Sequence, residues 1–207
     1  MENELKGTVY SKNVIEFVTV ASEYCAFVEN AVNVKKFEFI DKNLKLLSLL
    51  YLKTLVLPKV EQIHEEGNEK FVTEVDWQYV KNGIEIILGN DDVYLDFFDD
   101  DMKELPEPST HSISENFADI YQDLKDFLNI YQLGIDDLMN DAIYECCQSF
   151  KQYWGFKIVN SLRMLHRIYL SIANVNYSET ANIKPNKKPY TNNRFINKAQ
   201  KDYQSND

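Results

Sequence analysis

The chain has 207 residues, 44% of them hydrophobic, and its 33 Asp and Glu outnumber 22 Lys and Arg to give a net charge of -11. That length buries a self-sufficient core without disulfides, and Cys25, Cys146 and Cys147, an odd set without CxxC spacing, fit a reducing compartment. The acidic start Met1-Glu2-Asn3-Glu4 leads into no apolar signal region, and the most apolar stretch, Leu44 to Leu57, carries Lys45 and Lys53 and is shorter than the roughly 20 residues of a membrane span, so the expectation is a cytoplasmic protein with no membrane partner.

Apolar residues at three-and-four spacing place a first helix on Val14, Phe17, Val18, Ala21, Cys25 and Val28, with Ser11 or Asn13 as its cap. Leu44 to Leu55, preceded by Asp41, is apolar on nearly every face and predicts a helix central among the others, interrupted by Pro58. Trp77, Val80, Ile84 and Ile87 mark a third helix from Thr73 to a stop at Gly89-Asn90. Residues 91–112 read as an ordered loop with Tyr94, Leu95, Phe97 and Phe98 as anchors, and no period-two run predicts a strand.

The clearest stripe is Phe117, Ile120, Tyr121, Leu124, Phe127, Leu128 and Tyr131, capped by Ser114 and ended by Gly134. From Asp136 the pattern runs through Met139, Ile143, Cys146, Cys147, Phe150 and Trp154, and resumes after Gly155 with Ile158, Leu162, Leu165, Ile168 and Tyr169, as one long helix or two in succession. Past Ala173 the chain turns to Asn, Lys, Ser and Pro, which predicts a largely disordered tail. The fold expected is all-α: an antiparallel bundle of five to six helices over residues 1–173, with a basic tail over 174–207.

Ser112-Ile113-Ser114-Glu115, the run Ala118-Asp119-Ile120-Tyr121-Gln122-Asp123-Leu124-Lys125-Asp126-Phe127, and then Trp154-Gly155 and Leu165-His166 resemble an uncharacterised bacterial family of small helical cytoplasmic proteins known as a domain of unknown function. The resemblance spans most of residues 8–172. It implies a compact helical protein and brings no activity, ligand or catalytic residue.

Charge is uneven: residues 1–173 hold 30 acids against 16 bases, and 174–207 hold 3 against 6. An acidic body repels phosphates, so nucleic acid is not an expected partner of the domain. The tail, with Lys184, Lys187, Lys188, Arg194, Lys198 and Lys201 among Tyr190, Phe195 and Tyr203, has the composition that binds single strands, or it folds back on the acidic body.

Glu115, Asp119, Asp123 and Asp126 stand at intervals of four, four and three on one helix, where like charges repel unless something cationic offsets them. Arg163 and Arg167, also four apart, are the internal candidates, with His166 between them. A set made of Glu115, Asp119, Asp123, Asp126, Arg163, His166 and Arg167 is therefore the expected interaction surface, for a protein partner or for self-association. Like the row itself, the acidic loop with its aromatics is the other candidate contact.

An enzymatic alternative starts from Glu65-Glu66-Gly67-Asn68-Glu69, which satisfies the EExxE string of all-α NTP pyrophosphatases, with Glu115 and Asp119 similar to the partner ExxD. Such carboxylates would hold Mg²⁺ against a nucleotide or phosphate substrate. Two departures count against it: Gly67-Asn68 is a helix stop inside the motif, and Asn116 stands where ExxD requires an acid. Glu61-Gln62-Ile63-His64 is a lone ExxH unit, whereas a di-iron bundle needs two. Six aspartates between Asp91 and Asp101 lack EF-hand spacing, the cysteines lie in apolar stripes, and no GxSxG elbow or phosphate loop occurs. No catalytic residue and no cofactor are therefore expected, and Mg²⁺ belongs only to the alternative.

Overall fold

A computed structural model describes the backbone of residues 2–96 and 109–180 and the side chains of 5–95 and 109–172. Residues Met1–Ile172 form one compact unit and Ala173–Asp207 a second. The element order is α1 (Glu2–Val9), α2 (Lys12–Glu29), α3 (Lys36–Leu55), α4 (Glu74–Leu88), β1 (Val93–Asp96), β2 (Ser109–Ser112), α5 (Ile113–Tyr131), α6 (Asp136–Ser149) and α7 (Gly155–Thr180). The all-α reading holds, with one small antiparallel ribbon added: β1 pairs with β2 in the register Val93 to Ser112 and Tyr94 to His111. Four-residue strands carry too few alternations to show a period, and so the expected 91–112 loop is a hairpin at both of its ends. Phe97, Phe98 and the acids between them lie outside the described residues.

The centre of the bundle is α5. Twelve of its 19 residues are buried, and it packs against α2, α4 and α6. Phe17 meets Phe127 edge to face at 5.2 Å, and the Tyr24 hydroxyl, fully buried, donates to the Phe117 carbonyl at 2.9 Å. The α5 cap is Ser112, whose hydroxyl accepts from the Glu115 amide. Ser114, the expected cap, sits two residues further along and donates its amide and hydroxyl to buried Asp92, each at 2.7 Å. Thr73 and Asp76 form a reciprocal capping box that starts α4, and Gly89, at φ +57°, ends it.

The expected central helix is peripheral. On α3 one side buries Phe39, Ile40, Leu47 and Leu50, while Leu49, Leu52 and Leu55 are 41%, 54% and 59% exposed. Its apolar character is thus shared between the core and an open stripe. Phe37 stacks on Tyr169, and Tyr51 meets Phe150 edge to face, so α3 runs antiparallel to the stretch from Phe150 to Tyr169.

From Asp136 the two expected patterns form one rod. The α-helical ladder of α6 passes through a π-helical turn, Phe150–Trp154, into α7. One extra residue per turn there swings Phe150 and Trp154 inward together, their rings 4.7 Å apart. A Cβ on Gly155 would lie 2.5 Å from the Phe150 carbonyl oxygen, so the turn closes around a glycine. Helix α7 continues to Thr180, past the Ala173 at which the apolar pattern stops. The remaining tail, with its six basic residues, lies outside the described residues.

Candidate functional site

The acidic row of α5 is taken up inside the fold. Asp119, mostly buried, accepts from the Trp77 indole N–H at 2.8 Å, the Tyr153 hydroxyl at 3.0 Å and the Lys157 ammonium at 2.7 Å. The offsetting cation therefore comes from the last helix, as the repulsion argument requires, but it is Lys157 rather than Arg163 or Arg167. Burial works to lower the Lys157 pKa, and the hydrogen bond and charge of Asp119 outweigh it, so the ammonium is held above its ordinary value. Asp123 accepts from the Ser149 hydroxyl at 2.8 Å, and its burial pushes its carboxyl pKa up. Asp126, 3% exposed, accepts the Phe71 and Val72 amides at 2.8 and 2.9 Å, which removes it from any contact surface. Glu115 alone of the four is exposed.

The carboxylates of α6 do the same for the long connection between α3 and α4. Asp141, 2% exposed, accepts the Ile63 amide at 2.7 Å, the His64 amide at 2.9 Å and the His64 ring at 2.7 Å. Burial raises the Asp141 pKa, and these bonds together with Asn140 more than reverse it, leaving the group below its ordinary value. Glu145 accepts the Asn68 amide at 2.6 Å, and Asn140 donates to the Glu61 carbonyl at 2.7 Å. Residues 56–73 thus form a strap without regular secondary structure, fastened by Asp126, Asn140, Asp141 and Glu145.

This strap carries the residues of the metal alternative, and it alters their geometry. Glu65, Glu66 and Glu69 stand on irregular backbone, exposed, around Gly67 at φ +72°. The helix that EExxE needs is absent from that segment, and Glu61 and His64 likewise share no helical face. Among the described residues no group of three or more His, Cys, Asp or Glu is placed to hold a metal ion. Where the acids of α5 and α6 approach the strap, the cavity bounded by Asn68, Lys70, Asp123, Asp126, Glu145 and Ser149 measures about 30 Å³, room for a water molecule and not for a nucleotide.

Arg163 and Arg167 point instead toward the ribbon. With Asn90, Asp91, Val93, Tyr94, Leu95, Met164, Ile168 and Ser171 they line an open cleft of about 730 Å³. Asp91 is already paired, since Lys36 reaches it at 2.6 Å while also donating to the Leu88 carbonyl that ends α4. Val93 and Leu95 are 59% and 53% exposed on the cleft wall, whereas Tyr94 is buried, stacks on His111 and accepts from the Asn116 amide at 2.7 Å. His166 is exposed on α7 outside the cleft lining. The sequence reading grouped the arginines with the acidic row; the fold separates them and supplies β1 as their neighbour, a strand too short to have been anticipated.

Cys25 and Cys146 are buried, and burial raises both thiols well above their ordinary pKa; the half-buried Cys147 is also raised by burial, against the opposing charge of Lys151. No helix among the described residues is long and apolar enough to cross a membrane.

Residues 8–171 match the family model described as a domain of unknown function, DUF5063. The chain is similar to the crystal structure of protein BF1032 from Bacteroides fragilis, with 38% identity over 89% of this chain and 99% of that one, at a TM-score of 0.69. No curated protein matches it. With the family model covering most of the bundle from α2 to α7, the chain belongs to the DUF5063 family.

Proposed function

We propose that this protein is an interaction module that binds an extended, carboxylate-bearing segment of a partner protein in the cleft between β1 and α7. The observation that carries this reading is the meeting, on one open cleft, of two arginines one helical turn apart with the strand β1 and its exposed apolar side chains. Arginine presents a planar fork that suits carboxylates, and a strand edge offers main-chain groups to an added extended segment. Exposed Val93 and Leu95 supply apolar contact between the charged positions. A volume of about 730 Å³ suits a few residues of extended chain.

The binding is expected to be short-range. The body's negative charge opposes an acidic partner at a distance, so affinity depends on direct arginine contacts rather than on steering. Selection of displayed random peptides on the immobilised protein tests the reading. Enriched sequences are expected to alternate Asp or Glu with apolar residues, and enrichment is expected to vanish on the R163A/R167A double variant. Absence of enrichment, or equal enrichment on that variant, contradicts it.

A further inference from the structure

A second concavity lies on another part of the bundle, where the π-helical turn meets the start of the strap. Leu55, Leu57, Pro58, Val60, Cys147 and Phe150 form its apolar lining, and Lys59, Tyr144, Gln148 and Lys151 its polar border; its volume is about 340 Å³. We infer that this groove binds a medium-chain carboxylate, with the alkyl chain along the apolar lining and the head group between Lys59 and Lys151.

Three independent features converge on it. The chain changes from an α-helical to a π-helical ladder at this place and builds the change around a glycine that tolerates no Cβ. The turn sets Phe150 and Lys151 at the groove, and such turns recur at binding sites because they re-aim side chains at the cost of regular hydrogen bonding. The charge at the groove runs against the rest of the body. Residues 1–173 carry nearly twice as many acids as bases, yet both ionisable groups on this border besides Tyr144 and Cys147 are lysines, and neither makes an ion pair among the described residues. Most other lysines of the unit are paired, as in Lys36 with Asp91, Lys53 with Glu16, Lys125 with Glu29 and Lys157 with Asp119. Finally the apolar lining continues outward into the exposed stripe of α3, because Leu55 belongs to both. An apolar trough with a cationic rim matches an amphiphile with an anionic head. At roughly 30 Å³ per water-sized group the volume accommodates about ten to twelve such groups, the size of a decanoyl or dodecanoyl chain.

Cys147 supplies a built-in reporter. It lines the groove half-buried while Cys25 and Cys146 are enclosed, so a maleimide at mildly alkaline pH reaches Cys147 first. The test is calorimetric titration of the full chain with dodecanoate below its micellar concentration, beside dodecyltrimethylammonium as the cationic counterpart, together with the rate of Cys147 alkylation. Dodecanoate is expected to bind with one-to-one stoichiometry, to slow Cys147 alkylation at least about fivefold, and to bind at least about tenfold more tightly than the cationic amphiphile. The K59Q/K151Q variant, altered only at exposed side chains, is expected to lose at least about tenfold in dodecanoate affinity with its circular dichroism unchanged. Equal binding of both amphiphiles, undiminished affinity in K59Q/K151Q, or Cys147 alkylation unaffected at saturating dodecanoate overturns the inference. A Gln148→Glu change, which puts an anion on the same border, is expected to weaken dodecanoate and not the cationic amphiphile; the opposite order also overturns it.

Discussion

At Asp119 one carboxylate holds donors from α4, the π-helical turn and α7 at once. Removing it leaves an indole N–H, a hydroxyl and a largely buried ammonium short of an acceptor. Asp119→Ala is therefore expected to cost about 3 kcal/mol, and Asp119→Asn, which keeps an acceptor for Trp77 but not the charge opposite Lys157, about 1–2 kcal/mol, measured by urea unfolding. Asp141 gives a pH signature. Its folded pKa lies below the unfolded value of about 3.9, so the stability it contributes is complete above that value and is lost as pH falls through the folded pKa. Asp141→Asn is expected to be less stable than the parent at pH 7 by about 2 kcal/mol, with the difference shrinking as pH is lowered below about 4. A difference constant from pH 7 to pH 3 argues against the carboxylate as the strap's fastener. Both residues were visible in the sequence as acids on helices. What they face was not, because a carboxylate solvated, metal-bound or paired with an indole has the same spacing.

The elements divide by how local their causes are. Helices α2, α4 and α5 were legible because one apolar stripe and one cap decide each of them, and the cap of α5 moved from Ser114 to Ser112 only because buried Asp92 claims Ser114. The strap was not legible, since its amides are satisfied by side chains 54 to 78 residues away in the chain. Nor was the ribbon, whose register pairs four-residue strands that show no period. The glycine at the π-helical turn was visible as a break in pattern, and its role follows from contact: Gly155→Ala places a Cβ 2.5 Å from the Phe150 carbonyl oxygen. Overpacking of about 1–3 kcal/mol outweighs the gain of up to about 1 kcal/mol in helix propensity. The expected result is a lower unfolding midpoint and, since Phe150 lines the groove, faster alkylation of Cys147 as the lining loosens. A variant as stable as the parent would mean that the rod re-forms as regular helix.

For the whole molecule the sequence established an acidic body, and the fold shows part of that acidity to be structural. Asp119, Asp123 and Asp126 from α5 and Asp141 and Glu145 from α6 act as acceptors that draw α4, α7 and the strap onto the centre of the bundle. The expectation that helix four's row and the arginines make one surface was half legible: the cation on the last helix was required, and the residue that supplies it could be found only in three dimensions, because Lys157 stands on a different face of that helix from Arg163 and Arg167. Arg163 and Arg167 border the cleft along β1. Hydrogen exchange on the protein with a saturating peptide from the selection tests this placement most directly. The account predicts added protection of the Val93–Asp96 amides, abolished in R163A/R167A; protection confined to α5 and the strap, with β1 unchanged, would contradict it.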